Sequence, residues 1–301
     1  MRIPVITGPT AAGKTAVVLG FAEKYNIEIV SADAYQVYKY MDIGTAKPDK
    51  KELSAAPHHM IDIFTPDMTY SAGLFFYQGQ KIIAEIIERG NVPVVAGGTG
   101  LYVHTLQNGI FDGPDRDEEL RREIEEDIEK LGSVHMHGIL NNIDPEFAAK
   151  VKNTDPTRIL RGLEINRQLK MTVEKAQREF HRDPDFKYDI FVLTEDRQKI
   201  YDRINRRVDI MFNAGWGAEV EKLLSMGYDD TMDSFKAIGY RNISECIKDS
   251  RPVTDAAERI KTLTRNFAKR QLTWFRRMLD IKYVDLSDKN EVKRVEEYIF
   301  T

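Results

Sequence analysis

The sequence predicts an α/β fold in which helices flank a parallel sheet and an all-helical insertion interrupts it. Three observations support this prediction: a glycine-rich turn between a strand and a helix near the N-terminus, alternating strands and helices over the first third of the chain, and a long strand-free stretch afterwards. Alternation of this kind is typical of parallel sheets with right-handed crossovers.

Three short apolar runs in the first third of the chain are strand candidates, and helical segments separate them. Short β-branched runs indicate buried strands, whereas longer segments with apolar residues at helical spacing indicate helices. We predict strands at residues 3–7, 27–31 and 92–96, and helices at residues 14–24 and 74–89. The carboxyl ends of such strands meet at one edge of the sheet, where ligands bind.

A turn at Asp112, Gly113, Pro114 and Asp115 marks a break, after which no strand is expected before residues 188–193. The stretch between them contains three helix candidates, at residues 118–131, 145–151 and 157–169. Long helices then follow at residues 197–214, 218–226 and 254–279. These patterns predict two domains: a core formed by residues 1–112 and 188–301, and a helical insertion formed by residues 113–187.

Composition limits the class of protein. The 301 residues are 31% charged and 42% hydrophobic, as in soluble globular proteins. No apolar run approaches the ~18 residues of a membrane span. We expect no signal peptide, because the chain begins directly with a strand. The single cysteine, Cys246, excludes an intramolecular disulfide and a multi-cysteine zinc site. We expect a cytoplasmic monomer.

A complete phosphate-binding loop follows the first strand and leads into a helix. Glycines at both ends of the motif let successive backbone N–H groups face a diphosphate at a helix N-terminus. Lys14 can neutralise phosphate oxygens, and the Thr15 hydroxyl can join the coordination shell of Mg²⁺. The motif predicts a P-loop NTPase-like core that binds a di- or triphosphate through Gly8, Pro9, Thr10, Ala11, Ala12, Gly13, Lys14 and Thr15.

The strand at residues 92–96 does not end in the acid that holds Mg²⁺ in P-loop NTPases, but in Gly97, Gly98 and Thr99. Group transfer is therefore favoured over ATP hydrolysis. The nearest acid after a strand is Asp33. We expect Asp33 and Thr99 to lie near Lys14, because parallel strands end at the same edge.

Two arginines, Arg203 and Arg207, lie four residues apart and hence on one face of a predicted helix. Such a pair can close over a diphosphate. The alternative is that they form surface ion pairs with Asp202 and Asp209.

A basic segment lies near the C-terminus although the net charge of the chain is −4. Residues 259–282 contain eight Lys or Arg and one acid, Asp280. One helix face carries Lys261, Arg265, Lys269 and Arg276. The roughly opposite face, which we expect to meet the core, carries Ile260, Leu263, Phe267, Trp274 and Met278. The basic face is either a solvated surface or a row of cations that meets a nucleic-acid backbone.

Several further motifs are specific to one family. They begin with Ser31-Ala32-Asp33-Ala34-Tyr35-Gln36 and continue through Gly44-Thr45-Ala46-Lys47-Pro48, Pro57-His58-His59, Gly97-Gly98-Thr99-Gly100 and Phe267-Ala268-Lys269-Arg270-Gln271. In this order they resemble the tRNA dimethylallyltransferases over nearly the whole chain. The two histidines have no obvious ligand partners, and we interpret them as structural.

The resemblance implies transfer of a dimethylallyl group from dimethylallyl diphosphate to N6 of adenine 37, beside the anticodon, in tRNAs that read codons starting with U. Pyrophosphate is released, Mg²⁺ is the implied cofactor, and the anticodon stem-loop is the implied RNA partner. An adenylate isopentenyltransferase, a small-molecule kinase and a nucleotide-gated RNA-binding switch are the alternatives. The first has no need of a helical insertion, the second would need the missing acid, and the third would not need Asp33.

The resemblance also assigns roles to residues. Asp33 matches the family's general base, Thr99 matches a substrate-contacting threonine, and Lys14 would stabilise the leaving group. For Asp33, a contribution to the Mg²⁺ shell remains an alternative, and Thr99 could be a simple turn hydroxyl. The implied tRNA contacts are Asp33, Ala34, Tyr35, Gln36, Thr99, Arg121, Thr157, Arg158, Ile159, Leu160 and Arg161, to which the basic helix face adds Arg265 and Lys269.

Three positions depart from the family pattern. Ala34 replaces a serine, Tyr40 stands where glycine is usual, and Gly162 replaces an alanine inside a helix, at a cost of about 1 kcal/mol. None of them touches the phosphate loop or the predicted base.

Overall fold

The structure is a computed structural model that describes residues 2–114 and 117–301. Asp115, at the end of the predicted turn, lies outside the described residues. The chain forms two compact units, one of Met1–Asn108 with Pro184–Thr301 and one of Gly109–Asp183. The second unit is the counterpart of the insertion expected at residues 113–187.

A six-stranded parallel sheet organises the first unit, so the predicted α/β class is confirmed. Its strand order is β3-β2-β4-β1-β7-β8. A two-stranded antiparallel ribbon, β5-β6, belongs to the second unit. The strands are β1 (Arg2–Thr7), β2 (Ile27–Ser31), β3 (His58–His59), β4 (Val92–Gly97), β5 (Ile110–Phe111), β6 (His181–Arg182), β7 (Lys187–Thr194) and β8 (Ile281–Asp285).

Helices follow most strands, as the alternation predicted. In the first unit they are α1 (Lys14–Ala22), α2 (Lys50–Ala55), α3 (Ala72–Glu88) and α4 (Gly100–Asn108). The second unit contains α5 (Glu118–Leu131), α6 (Ser133–Ile143), α7 (Pro145–Ala148), α8 (Pro156–Leu169) and α9 (Val173–Glu179). The first unit resumes with α10 (Arg197–Asn213), α11 (Trp216–Ser225), α12 (Tyr240–Lys248), α13 (Ala257–Phe275) and α14 (Lys289–Phe300).

Both faces of the sheet are buried, as expected for a parallel sheet covered by helices. Side chains alternate between two apolar clusters, so Val5 and Val95 belong to one and Ile6 and Val94 to the other. The central strand β1 pairs with β4 and with β7 in register, which brings the ends of these strands to one edge. The sheet is therefore a rigid base for the loops at that edge.

The second unit has its own apolar core, to which Ile124, Leu140 and Leu163 contribute. The close approach of neighbouring helices explains Gly162, because a Cβ there would lie 2.7 Å from the Phe147 ring. Strand β6 contradicts the prediction that no strand lies between the turn at residues 112–115 and β7, whereas β5 precedes that turn. Strands of two residues are too short to show a periodic pattern.

The prediction for the C-terminal helix needs a correction. Trp274 does not face the core and is 42% exposed, whereas Ala268, Gln271 and Phe275 are buried. A 3₁₀ turn at Val253–Ala256 precedes α13, so the helix is shorter than expected. The pattern also missed β8 and α14, which follow it.

Three further features concern the histidine pair, the cysteine and the lengths of the helices. His58 and His59 form the edge strand β3, where the ring of His59 bonds the buried Glu28 carboxylate at 2.6 Å. Cys246 is buried on α12. Within the part of the chain that the structure describes, no helix has the length and apolar character needed to span a membrane.

Candidate active site

The phosphate loop lies at the carboxyl edge of the sheet, between β1 and α1. Gly8 and Gly13 have φ values of 142° and 97°, in the region that favours glycine. A Cβ on Gly8 would lie 2.6 Å from the carbonyl oxygen of Leu193, so no larger residue fits there. Gly13 is the N-cap residue just before α1 and has no side chain to cap the helix. The first N–H groups of the helix therefore face outward as an anion site.

Lys14 folds over this loop. Its Nζ donates hydrogen bonds to the carbonyl oxygens of Gly8 at 3.0 Å and Pro9 at 2.9 Å. Burial lowers the pKa of Lys14 to about 8, while the negative charge of Asp33 opposes this shift and Arg207 adds to it. The structure therefore places Lys14, Asp33 and Arg207 close enough to influence one another.

The Asp33 carboxylate is oriented by the backbone. Its Oδ1 accepts the N–H groups of Tyr35 at 2.9 Å and Gln36 at 3.3 Å. Its Oδ2 accepts no hydrogen bond from any residue in the described ranges. Burial raises the pKa of Asp33, and the two N–H groups and Lys14 only partly oppose this. The carboxylate thus combines a fixed orientation, a free oxygen and an increased basicity.

Thr99 is joined to the same loop. Its Oγ1 accepts the Ala34 N–H at 3.0 Å, and its own N–H donates to the carbonyl oxygen of Ala32 at 3.2 Å. The hydroxyl therefore holds the residue after Asp33 and not the Asp33 carboxylate itself. The Thr99 hydroxyl donates no hydrogen bond within the described part of the chain, so its proton remains available to a substrate. The backbone N–H of Ala34 makes this contact. The serine hydroxyl that is usual at this position is therefore not needed for it.

The Gln36 amide is bonded within the protein at both ends. Its Oε1 accepts the Ser31 hydroxyl at 3.1 Å, and its Nε2 donates to the carbonyl oxygen of Ala46 at 3.0 Å. Gln36 therefore fixes a wall of the site. A contact to a base edge, as the resemblance implies, requires at least one of these bonds to open.

The two arginines of α10 have different surroundings. Arg203 forms an ion pair with Glu195, whereas Arg207 has no hydrogen-bond or ion-pair partner among the described residues. The alternative of pairs with Asp202 and Asp209 is wrong, because Asp202 bonds Gln198 and Asp209 bonds Lys261. Of the two, Arg207 is therefore the cation without a counter-ion within residues 2–114 and 117–301.

Two cavities meet at this edge of the sheet. The larger, about 690 Å³, is lined by the phosphate loop, Lys14 and Thr15. The smaller, about 220 Å³, is lined mainly by apolar and aromatic side chains, including Trp216. Residues on the walls of both cavities are Thr10, Asp33, Thr45, Ala46, Arg207 and Phe267.

Sequence reasoning missed the role of Gln271. Its side chain, 6% exposed, projects from α13 and bonds the phosphate loop at Thr10 and the β4–α4 loop at Gly98. The signal was a polar residue on the apolar face of an amphipathic helix. The many charges of the helix obscure this one polar residue in the sequence.

A second residue that the sequence analysis missed is Glu219 on α11. Its carboxylate accepts the N–H groups of Asp42 at 2.8 Å, Ile43 at 2.7 Å and Gly44 at 3.3 Å, and the Tyr240 hydroxyl at 2.7 Å. One acid therefore fixes a loop that continues into the walls of both cavities. Since its backbone partners lie far away in the sequence, no local pattern indicates this role.

The basic face of α13 is only partly free. Lys261 forms ion pairs with Asp209 at 2.7 Å and Glu258 at 2.9 Å, so its charge is neutralised. Arg265 bonds the Asn205 side chain at 2.5 Å. Lys269 and Arg276 are exposed. The prediction of a continuous row of four cations is wrong at Lys261, because counter-ions lie beside it.

In the second unit, one buried acid holds two of the predicted arginines. Glu164 is 0% exposed, and its Oε2 lies 2.7 Å from Arg161 and 3.6 Å from Arg121. Arg161 also lies over the Phe111 ring, 5.3 Å from its centroid. The carboxylate neutralises both guanidinium groups on their inner side and leaves Arg161 partly exposed.

The remaining predicted contacts of this unit separate into two kinds. Thr157 and Arg158 are exposed, and Arg158 donates to the carbonyl oxygen of Lys150 at 3.0 Å. Ile159 and Leu160 are 0% and 4% exposed in the core of the unit. Their side chains point away from the surface, since an α-helix turns successive residues to different sides. Contacts of Ile159 and Leu160 with RNA stay a prediction.

Comparison with known proteins identifies the family. A family model described as IPP transferase matches residues 36–278, and one described as Isopentenyl transferase matches residues 1–63. The tRNA dimethylallyltransferase of Acetivibrio thermocellus is 40% identical over 100% of this chain and 98% of that protein. That of Thermotoga neapolitana is 40% identical over 98% of this chain and 96% of that protein.

The chain belongs to the IPP transferase family.

Solved structures of IPP transferases have the same fold. The tRNA isopentenylpyrophosphate transferase of Bacillus halodurans superposes with a TM-score of 0.73 at 35% identity, over 99% of this chain and 95% of that one. A eukaryotic dimethylallyltransferase acting on tRNA gives a TM-score of 0.84 at 27% identity, over 98% of this chain and 77% of that one. These similarities confirm the family resemblance and the P-loop-like transferase fold.

Proposed function

We propose that this IPP transferase moves a dimethylallyl group from dimethylallyl diphosphate to N6 of adenine 37 in tRNAs that read codons starting with U. The observation that carries the proposal is the position of Asp33 on the walls of both cavities. One cavity carries a phosphate loop and the other an aromatic lining. A base at their junction can accept a proton from an acceptor amine in the smaller cavity while the donor lies in the larger one.

The larger cavity suits the donor. The N–H groups of the loop and the N-terminus of α1 bind the diphosphate. Lys14 and Arg207 supply positive charge where negative charge grows on the leaving pyrophosphate. Arg207 is free to do so, because it has no counter-ion among the described residues.

The residues present fit a Mg²⁺ ion that arrives with the diphosphate. Among residues 2–114 and 117–301, no cluster of three or more His, Cys, Asp or Glu side chains could hold a metal ion alone. Mg²⁺ commonly binds through one or two protein oxygens, phosphate oxygens and water. Thr15, on the first turn of α1, would supply a hydroxyl oxygen. The bound ion would add positive charge at the leaving group.

The chemistry requires one proton acceptor. The N6 lone pair forms a bond to carbon 1 of the dimethylallyl group while the bond from carbon 1 to the diphosphate oxygen breaks. The bonding electrons leave with pyrophosphate, and Asp33 Oδ2 accepts the proton that N6 loses. An adenine amine is a poor nucleophile, so a base positioned in this way accelerates the step.

The smaller cavity suits the acceptor. Reaching N6 inside a stacked anticodon loop requires the adenine to leave the stack. Tyr35, Trp216 and Phe267 line this cavity and offer apolar or aromatic surface to a base. Thr99, with its hydroxyl proton free, can contact the base beside Asp33. Gln36, on the wall of the larger cavity, holds Ala46, which lines both cavities.

Basic and polar side chains hold the RNA backbone. We assign this role to Arg121, Thr157, Arg158 and Arg161 in the second unit, and to Lys269 with a smaller contribution from Arg265 on α13. The anticodon stem-loop is the proposed RNA element. The enzyme is proposed to act as a cytoplasmic monomer. Light scattering tests the oligomeric state, and cell fractionation tests the location.

The rival functions fit less well. An adenylate isopentenyltransferase needs no second unit, yet this chain covers almost the full length of relatives named for tRNA. A kinase needs an acid after β4, where this chain has Gly98 and Thr99.

The test is direct. The purified enzyme is incubated with Mg²⁺, labelled dimethylallyl diphosphate and an unmodified anticodon stem-loop containing an A36-A37-A38 run. Label should enter this RNA and not a matched RNA with guanine at position 37. Label in AMP instead of RNA, or a requirement for ATP, would overturn the proposal.

A further inference from the structure

One buried amide connects three parts of the first unit. Gln271 Oε1 accepts the Thr10 N–H at 2.8 Å, and Gln271 Nε2 donates to the Gly98 carbonyl oxygen at 2.7 Å. The side chain projects from α13 and is 6% exposed. Three segments that are distant in sequence therefore share one side chain.

These segments carry the groups that the reaction uses. Thr10 belongs to the phosphate loop, which holds the donor in the proposed function, and Gly98 precedes Thr99, which faces the acceptor. A Cβ on Gly98 would lie 2.6 Å from Gln271 Nε2 and 3.5 Å from Lys14 Nζ. The amide, the β4–α4 loop and the loop lysine are thus packed without room for an additional atom.

Only an uncharged group with one donor and one acceptor satisfies both partners. The Thr10 N–H needs an acceptor, and the Gly98 carbonyl oxygen needs a donor. A glutamate at position 271 would set a carboxylate oxygen against the Gly98 oxygen and add a negative charge next to Lys14. A methionine would fill the space but bond neither partner, leaving buried backbone groups unpaired.

We propose that Gln271 is a positioning residue that sets the separation between the donor loop and the acceptor loop. It touches neither reacting atom. Its effect on the rate comes from the alignment of carbon 1 of the donor with N6, and this inference rests on the proposed function. Misplacement by about 1 Å is enough to lower a rate by about 10²-fold.

The matched variants are Gln271→Met and Gln80→Met. Gln80 is also a buried glutamine, 3% exposed, whose Oε1 accepts a backbone N–H, that of Asp185. It lies on α3 and is not among the described residues that line either cavity. Both substitutions remove an amide of the same shape from a buried site, so both should lower the melting temperature.

The measurements are kcat and KM for dimethylallyl diphosphate, Kd for the stem-loop, and the melting temperature. For Gln271→Met we expect kcat to fall by about 10²-fold, with little change in stem-loop Kd. Gln80→Met should keep kcat within about twofold of the unchanged enzyme, whatever its melting temperature. A kcat for Gln271→Met within about twofold of the unchanged enzyme would overturn the inference, as would equal losses in both variants.

A second variant tests the inference if Gln271→Met does not fold. Gln271→Glu keeps the acceptor for Thr10 but loses the donor to Gly98, so kcat should again fall without loss of stem-loop binding. Unchanged kcat in this variant contradicts the inference. If the unchanged enzyme itself does not label RNA, the proposed function has failed instead.

Discussion

The phosphate site of the first unit and the arginine cluster of the second unit hold their charges in opposite ways. Lys14, Asp33 and Arg207 are oriented by backbone groups or by packing, and no side-chain ion pair joins them to other described residues. In the second unit Arg121 and Arg161 share the buried carboxylate of Glu164. The charges of the phosphate site have no counter-ion among the described residues, whereas these two arginines are fixed by one.

This difference has a cost in the first unit and a benefit in the second. An unpaired buried acid is easier to protonate and can accept a proton, but its ionised form destabilises the fold. A paired arginine loses part of its charge but keeps one orientation, which suits recognition of a phosphate backbone. Three substitutions, each with a control variant, test the comparison.

The largest effect is expected for Asp33→Asn. The amide keeps the shape of the loop but cannot accept the N6 proton, so turnover should fall by about 10²–10⁴-fold while stem-loop binding hardly changes. Single-turnover transfer of labelled donor measures the effect. Asp229→Asn is the control. Like Asp33, Asp229 accepts the N–H of the residue two positions later, here Thr231, but it is not among the residues that line either cavity. Near-normal turnover in Asp33→Asn would remove Asp33 as the base.

The next effect concerns RNA affinity. Glu164→Gln removes the negative charge that holds two guanidinium groups, so both lose their orientation. Stem-loop affinity should fall about tenfold, which corresponds to about 1.4 kcal/mol, while kcat at saturating RNA is unchanged. Glu125→Gln is the control, because this exposed partner of Arg121 should matter about twofold or less. Equal affinities in both variants would mean that the buried acid serves only the fold of its unit.

A smaller effect distinguishes free from paired cations on α13. The logarithm of stem-loop affinity should fall linearly with the logarithm of salt concentration. Lys269→Ala should lower that slope by about one, because an exposed lysine loses a phosphate contact. Lys261→Ala should leave the slope unchanged, because Asp209 and Glu258 already neutralise this lysine. A binding assay at four salt concentrations decides, and equal slopes for the unchanged enzyme and Lys269→Ala would place the RNA elsewhere.

The smallest effect is on stability, and its sign is informative. Because the pKa of Asp33 is raised in the folded state, the folded protein binds this proton more tightly than the unfolded chain. Stability therefore falls as the pH rises from the ordinary Asp pKa through the raised one. Asp33→Asn should melt at a higher temperature than the unchanged enzyme at neutral pH, and the gap should close at acidic pH.

Asp229→Asn provides the opposite sign. Hydrogen bonds from Thr231 lower the pKa of Asp229, so its ionised form stabilises the fold. This variant should melt at a lower temperature at neutral pH. Melting curves at several pH values measure both variants, and a lower melting temperature for Asp33→Asn at neutral pH would contradict the reading of Asp33 as an uncompensated charge.

The central part of the fold was predictable because its strands are continuous apolar runs. β1, β2, β4 and β7 are buried on both faces and stand out in the sequence. The edge strand β8 has three exposed residues of five, so it lacks that signal. The two-residue strands are held by their neighbours and have no pattern of their own.

The site was predictable where function depends on a local motif. The phosphate loop, which includes Lys14, follows β1, and Asp33 lies two residues after β2. Chain order is therefore enough to place them. Gln271 and Glu219 act on backbone groups far away in sequence, which no local pattern contains. Counter-ions are also distant in sequence and cannot be read from a local pattern. The sequence shows the charge of Lys261 but not that Asp209 lies beside it.

The sheet topology has a consequence for how the chain is made. β1 lies between β4 and β7, and β7 is synthesised only after the whole of the second unit. Gly8 packs against Leu193 of that late strand, so the phosphate loop stays incomplete until then. The second unit is continuous in sequence and has its own core, and we expect it to resist proteolysis in ribosome-bound chains that end before β7. On the ribosome, the helical unit is then finished before the phosphate site exists.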